Sequence, residues 1–308
     1  MPLAPSTLAE TELAVRLGTP PRCPGGPTWA IDAPEMPRKK TRRKGSGLTA
    51  KKADIHQLYQ RSVQDPPTDI AFVDRVFKKE RGRKPLLLRE DFCGTALICA
   101  DWVRKLPERR AIGIDLHGPT LKWGWRHNIA PLGEAAERVQ LLQQNVLDPL
   151  PSKVDVAMAF NFSYCVFKTR PEMVKYCEKV RASLKKEGAF FLDIHGGSEN
   201  TVEVEEETDH DDFTYVWDQM PYDAVNGTSL RYIHFRFPDG TALNKAFTYD
   251  WRLWTLPELR EILVDAGFQR VDVYWEGATR EGDGNGIFRR VRGAEQEESW
   301  IAYVVAWK

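Results

Sequence analysis

The stretch Leu88-Arg89-Glu90-Asp91-Phe92-Cys93-Gly94-Thr95-Ala96 decides the fold. It leaves a short apolar run, Pro85-Leu86-Leu87-Leu88, which reads as a buried strand. It enters a helix expected over 95–106, with Ala96, Leu97, Ala100 and Val103 on one side. A strand that passes through a glycine straight into a helix is the first half of a βαβ unit. In an open α/β sheet, ligands bind beyond the carboxyl ends of the strands, beside the point where strand order reverses. Free N–H groups gather at the helix N-terminus there. Gly94 lets the backbone come close to a ligand, and an acid at the strand end can accept hydrogen bonds from a cationic amine.

The same alternation continues downstream. Strands are expected at 111–114, 138–142, 154–160 and 188–194, with helices running to about residue 129 and over roughly 171–185. Upstream, one helix opens at Asp54-Ile55-His56-Gln57-Leu58-Tyr59, and another follows Pro66-Pro67 with Ile70, Val73, Val76 and Phe77 at helical spacing. Such a chain builds a mostly parallel, doubly wound sheet with helices on both faces.

After Gly196-Gly197 the pattern breaks. Residues 202–212 hold seven acids. Three strand-like stretches follow at 213–218, 230–237 and 245–254, the last two flanking the turn Pro238-Asp239-Gly240-Thr241. They read as a small, aromatic-rich antiparallel sheet inserted late in the α/β unit. The α/β pattern then resumes. Thr255 and Glu258 form a capping box, the helix ends at Gly267, and closing strands are expected at 271–275 and 300–307. Four segments result: a Pro-rich, basic, disordered tail over 1–50; N-terminal helices and the α/β core over 51–196; the antiparallel insertion over 197–254, as a lid or an oligomer contact; and the last helix and strands over 255–308.

Composition bounds the function. The 308 residues carry 44 Lys+Arg against 44 Asp+Glu, so no net field draws the chain to nucleic acid or membrane. No apolar run approaches the roughly 18–20 residues of a membrane span, and the N-terminus lacks the pattern of a secretory signal. The five cysteines (Cys23, Cys93, Cys99, Cys165 and Cys177) are odd in number and contain no C-x-x-C, which disfavours a disulfide framework or a structural zinc site. A reduced, cytoplasmic, metal-independent protein is expected, with buried cysteines.

Three further markers join the first turn. Asp115 closes the second strand, 21 residues after Gly94, where an acid is placed to hold the two hydroxyls of a ribose. Gln144-Asn145-Val146-Leu147-Asp148 follows the third strand, and its amide and backbone could read an adenine edge. Asn161-Phe162-Ser163-Tyr164 follows the fourth, where a substrate would meet a cofactor. His195, ending the fifth strand, and Tyr164 are the candidate catalytic side chains, since an imidazole titrates near neutrality.

Together these markers resemble the class I S-adenosylmethionine-dependent methyltransferases over about residues 55–308. That family's first-strand motif, acid-x-Gly-x-Gly-x-Gly, would stand here as Glu90-x-Phe92-x-Gly94-x-Ala96, with one glycine of three retained. The chain also resembles a bacterial subfamily marked by the strings DFCGTA (91–96) and FNFSYCVFK (160–168). The resemblance implies a seven-stranded Rossmann-like methyltransferase fold, S-adenosylmethionine as cofactor and S-adenosylhomocysteine as product. By it, Glu90 would sit near the methionine amine, Asp115 would hold the ribose, and Leu116 would pack on the adenine. Asn145 and Val146 would read the adenine edge, Asn161 and Phe162 would border the sulfonium, and Tyr59 would close over the cofactor. Phe92 would either narrow the pocket or aim its ring elsewhere.

The expected acceptor is a small molecule. RNA is the competing acceptor, on the strength of the basic run 38–44 and of Arg75, Lys78, Lys79, Arg81, Arg83 and Lys84 before the first strand. Two readings of other classes share the ribose acid: a nicotinamide-dependent oxidoreductase, which normally wants G-x-G-x-x-G, and a non-catalytic adenosyl-binding module.

Overall fold

The computed structural model describes residues 47–279 and 284–308. The expected tail, with its basic run and Cys23, lies outside the described residues up to residue 46. Two helices come first, and each starts on an aspartate. Asp54 accepts hydrogen bonds from the N–H groups of His56 and Gln57 to cap α1 (Ile55–Val63). Asp65 caps α2 (Pro66–Arg81), where the prolines occupy positions whose N–H would go unpaired. Gly82, at φ 70°, ends it in the left-handed conformation.

The core then follows the expected alternation: β1 (Leu87–Asp91), α3 (Leu97–Lys105), β2 (Arg110–Asp115), α4 (Gly118–Gly124), β3 (Val139–Gln143), β4 (Val154–Ala159), α5 (Arg170–Ser183) and β5 (Leu184–Gly196). The insertion follows as β6 (Val204–Asp209), β7 (Thr214–Gln219), β8 (Thr228–Arg236) and β9 (Ala242–Arg252). The chain closes with α6 (Leu256–Asp265), β10 (Arg270–Ala278), β11 (Gly284–Val291) and β12 (Trp300–Trp307). Thr255 and Glu258 form the expected capping box of α6.

The main sheet has the order β11-β10-β12-β5-β4-β1-β2-β3. The strands β1 to β5 pair in parallel, and β12 runs antiparallel between β5 and β10. Strand order therefore reverses between β1 and β4, which sets the crevice at their C-terminal ends. The sheet has eight strands where seven were expected, because β11 adds an antiparallel edge. In β11 only Phe288 is buried, so its sequence shows no alternation. The second sheet, β6-β7-β8-β9, has four strands where three were expected. Its edge strand β6 lies in the acidic run, with one row of side chains exposed and the other half-buried.

Apolar cores cover both faces of the main sheet. On one face α2 and α3 pack against Leu88, Val156, Met158, Phe191 and Val305. On the other α5 and α6 pack against Ile112, Ala157, Phe190, Leu192 and Val304. A third core joins Leu58 of α1 to Phe213, Tyr215, Ile233, Phe235 and Phe237 of the second sheet. No helix among the described residues is long and apolar enough to cross a membrane.

Candidate active site

The turn after β1 keeps a glycine-like backbone with few glycines. Phe92, Gly94 and Ala96 all adopt the left-handed conformation, with φ 55°, 52° and 55°. Only glycine does so freely; other residues lose about 1–2 kcal/mol each. Hydrogen bonds hold the turn. The Cys93 N–H donates to Ile114 O (2.9 Å), and the Ala96 N–H donates to Cys93 O (2.7 Å). The Gly94 N–H donates to Asp115 Oδ2 at 2.8 Å. Asp115 Oδ1 accepts the His117 N–H, also at 2.8 Å, so this half-buried carboxylate joins the turns after β1 and β2. The half-buried Phe92 ring packs beside Phe167 and Tyr176, with centroids 6.2 and 5.9 Å away.

A buried charged network lies beneath. Arg89 pairs with Asp91 at 2.7 Å, Tyr176 Oη donates to Asp91 (2.8 Å), and Arg89 Nη2 donates to Val146 O (2.6 Å). It ties β1 to the turn after β3. In that turn Asn145 is exposed, and its side-chain oxygen accepts the Leu147 N–H at 2.9 Å, so that oxygen is committed to the turn. Val146 is buried in the core. Leu116, beside Asp115, leaves 66% of its surface uncovered. Glu90 departs from its expected place. It is only 4% exposed and turns under α3, where Oε2 accepts the Cys99 N–H at 2.9 Å. Burial pushes its carboxyl up to about 8, with the charges of Asp115 and Asp69 adding to the rise.

The turn after β4 is built in a similar way. Asn161 and Phe162 are both left-handed, at φ 56° and 55°. Their N–H groups donate to Asp193 Oδ2 and Oδ1 at 2.6 and 3.0 Å. Asp193 lies near the C-terminal end of β5, and burial raises its carboxyl to about 8. Beside this turn opens a cavity of about 230 Å³, floored by the turn itself, β5 and β12, flanked by α1 and α2, and roofed by the second sheet. It gathers Tyr59, Asn161, Phe162 and His195 from the expected site. Tyr59 faces the second sheet, 4.7 Å from the Phe247 ring. His195 stands 4.3 Å from the Phe162 ring. Burial, then the charge of Arg231, lowers its imidazole to about 3, so it is neutral near pH 7.

Tyr164 is a correction. It is fully buried, and its hydroxyl donates to the Asp193 backbone carbonyl at 2.7 Å, so it braces the end of β5 away from the cavity. Cys93, Cys99, Cys165 and Cys177 are free and buried, and burial raises each thiol. The sequence reading missed the cavity residues Asp69, Asp193, Glu206 and Tyr303, while Trp217 and Tyr249 are among the insertion aromatics expected to supply one or two residues of a substrate mouth. One signal was available, since Asp193 sits near its strand's end much as Asp115 does. The cations before β1 are largely committed. Arg75 and Arg81 donate to Phe288 O and Glu187 O, Arg83 pairs with Asp155 at 2.9 Å, and Lys84 with Asp74 at 3.9 Å. Arg83 and Lys84 precede β1, at the N-terminal end of its strand, opposite the C-terminal ends that border the cavity.

No protein-family model and no curated protein matches the chain. Solved structures match it in fold. An S-adenosylmethionine-dependent methyltransferase from Clostridium acetobutylicum superposes with a TM-score of 0.60 at 17% identity, over 82% of this chain and 96% of that one. CalS10, an amino pentose methyltransferase from Micromonospora echinaspora, gives 0.58 at 14%, over 82% and 95%. The sugar N-methyltransferase KedS8 from a Streptoalloteichus species gives 0.55 at 16%, over 89% and 99%. The fold, a mostly parallel central sheet with a separate small antiparallel sheet, is that of Rossmann-like methyltransferases.

Proposed function

We propose that the chain is an S-adenosylmethionine-dependent methyltransferase acting on a small-molecule acceptor. One observation carries this reading: the rim of the sheet divides at its switch point. The turn after β1 presents Gly94, and the end of β2 presents Asp115 and Leu116, on one side. The aromatic cavity lies over the turn after β4, β5 and β12 on the other. The two halves meet at Asn161 and Phe162. The residues present fit an adenosyl group. Leu116 offers an uncovered apolar surface next to a ribose-height carboxylate, and a side chain at Gly94 would meet only Thr120 Cγ2, at 4.0 Å.

When bound, S-adenosylmethionine supplies a methyl group made electrophilic by its sulfonium. The protein's task is then alignment and exclusion of water, and positioning supplies most of the rate. Asp115 would hold the ribose, Leu116 the adenine, and the clamped 161–162 turn would fix the angle at which the acceptor approaches. A cavity of about 230 Å³ falls below the roughly 300–1,000 Å³ of drug-sized sites, which favours a small acceptor.

Calorimetry with S-adenosylhomocysteine tests the reading. The wild type should bind, and Asp115→Ala should bind at least about tenfold more weakly, because each hydrogen bond to a charged group contributes about 1.5–3 kcal/mol. Equal affinity in the variant would place the cofactor elsewhere. A rise in melting temperature with nicotinamide dinucleotide in place of S-adenosylhomocysteine would favour the oxidoreductase reading.

A further inference from the structure

We propose, resting on the methyltransferase reading, that the acceptor is an amine arriving as its ammonium ion, seated in the aromatic cavity against Asp69 and Asp193, one of which takes its proton.

The lining is one-sided in charge. Among the described residues, the carboxylates of Asp65, Asp69, Asp193, Glu199 and Glu206 line the cavity, and no lysine or arginine does. Arg231, the buried guanidinium of β8, is fully covered and donates to Asn200 O at 2.6 Å. It does not line the cavity. Buried carboxylates normally carry a paired cation, and among the described residues none of these five forms an ion pair; the Arg231 guanidinium lies 5.7 Å from the Trp217 ring centroid instead. The position of the pair separates it from the adenosyl half. Asp69 Oδ1 accepts a hydrogen bond from Tyr303 Oη of β12 at 2.7 Å, and Asp193 belongs to β5. Both lie on the side of the rim away from Asp115 and Leu116.

The walls suit the same ligand. Trp217, Tyr249 and Trp251 form a contiguous aromatic group, with centroids 4.8 Å apart for Tyr249–Trp251 and 5.9 Å for Trp217–Trp251. Aromatic faces attract ammonium ions, more strongly where water is excluded. An uncharged hydroxyl acceptor would gain from these walls but would leave the carboxylates unpaired.

Proton balance completes the argument. An ammonium has no lone pair, so an N–H bond must break before the nitrogen can attack. The proton passes to a carboxylate oxygen, an O–H bond forms, and the N–H electron pair stays on nitrogen as the nucleophile. Burial holds Asp69 at about 7 and Asp193 at about 8, and the charge of Asp69 adds to the rise of Asp193. Groups in that range exchange protons with an amine near neutrality far better than His195, lowered to about 3. The other titratable groups lining the cavity are Asp65 and Glu199, Tyr59 from α1, Glu206 from β6, Tyr215 from β7, Tyr249 from β9 and Tyr303 from β12, with the charge of Asp65 adding to the rise of Asp69. None of these is a cation, and burial raises Tyr59, Glu206, Tyr215, Tyr249 and Tyr303.

The test is calorimetry on the full chain saturated with S-adenosylhomocysteine, using benzylamine and its uncharged counterpart benzyl alcohol as probes. Benzylamine should bind at least about tenfold more tightly than the alcohol. Repeating the titration in two buffers of different ionisation enthalpy should show protons released on binding, because the arriving cation lowers both carboxyl groups. Asp69→Asn, whose amide oxygen still accepts from Tyr303, and Asp193→Asn should each lose most of the preference and part of the proton release. S-adenosylhomocysteine binding in the same variants reports that they remain folded. Equal affinity for the two probes, no binding of benzylamine, or a preference kept in both variants would overturn the amine assignment while the methyltransferase reading stands. Failure of wild type to bind S-adenosylhomocysteine would instead remove that reading.

Discussion

Glu90→Gln should reverse a pH-dependent penalty built into β1. Glu90 is buried with hydrogen bonds only to the N–H and thiol of Cys99, and its carboxyl rises from 4.5 to about 8. The unfolded chain loses this proton near the ordinary value, whereas the folded chain keeps it until about pH 8. Between those limits the folded state binds more protons, so stability is fully present below the unfolded value and falls as pH rises through the folded one. The largest slope is about 1.4 kcal/mol per pH unit for one proton, and the whole rise corresponds to roughly 5 kcal/mol. Glutamine keeps an oxygen for the Cys99 N–H but has no proton to lose. Asp69 and Asp193 titrate in the same window. Their contribution appears in both proteins and largely cancels in the difference. Urea denaturation of wild type and variant from about pH 5 to about pH 8 reads this directly, and the stability of the variant relative to wild type should climb by several kcal/mol across the window. A difference that stays flat with pH would show that Glu90 does not hold its proton in the fold, and the argument from its burial would fail.

Tyr164→Phe removes only the hydroxyl that donates to the Asp193 carbonyl. It should cost about 1 kcal/mol of stability and leave S-adenosylhomocysteine affinity unchanged by calorimetry; a large loss of affinity would return Tyr164 to the site. Phe92→Gly releases a left-handed residue from strain of about 1–2 kcal/mol but discards ring contacts with Phe167 and Tyr176. Since Phe→Ala in a core costs about 3–5 kcal/mol, urea denaturation should show a net loss of about 1–4 kcal/mol with cofactor-product affinity within about threefold of wild type; a tighter complex would mean that the ring obstructs the crevice.

The alternation of apolar runs and helical spacings carried the α/β core into view, because burial on a sheet face repeats along the chain and leaves a period. Edge strands leave none. In β11 one side chain is buried, and in β6 the residues between the exposed acids are only half-buried. The polar groups of the site were harder to read for another reason. Glu90 and Asp91 are neighbours in β1, so their side chains leave opposite faces of the sheet. One meets the Cys99 N–H of α3, the other Arg89 and the Tyr176 hydroxyl of α5. Spacing marks a strand-end acid but does not say which partner will occupy it. Asp69 illustrates the limit, since its place in the cavity depends on Tyr303, 234 residues away.

The two turns at the switch point show why a motif poor in glycine can keep a glycine motif's shape. Strands β1 and β4 are neighbours at the reversal, and each ends in a turn containing left-handed residues that are not glycine. In both cases the strand on the outer side supplies a carboxyl to hold the turn. Asp115 of β2 takes the Gly94 N–H, and Asp193 of β5 takes those of Asn161 and Phe162. Strain of about 1–2 kcal/mol per left-handed residue is comparable to the net contribution of a hydrogen bond, about 0.5–1.5 kcal/mol for a neutral acceptor and about 1.5–3 kcal/mol for a charged one. On this account Asp115 and Asp193 are equivalent devices on either side of one crevice, each accepting backbone N–H groups from left-handed residues of the neighbouring turn.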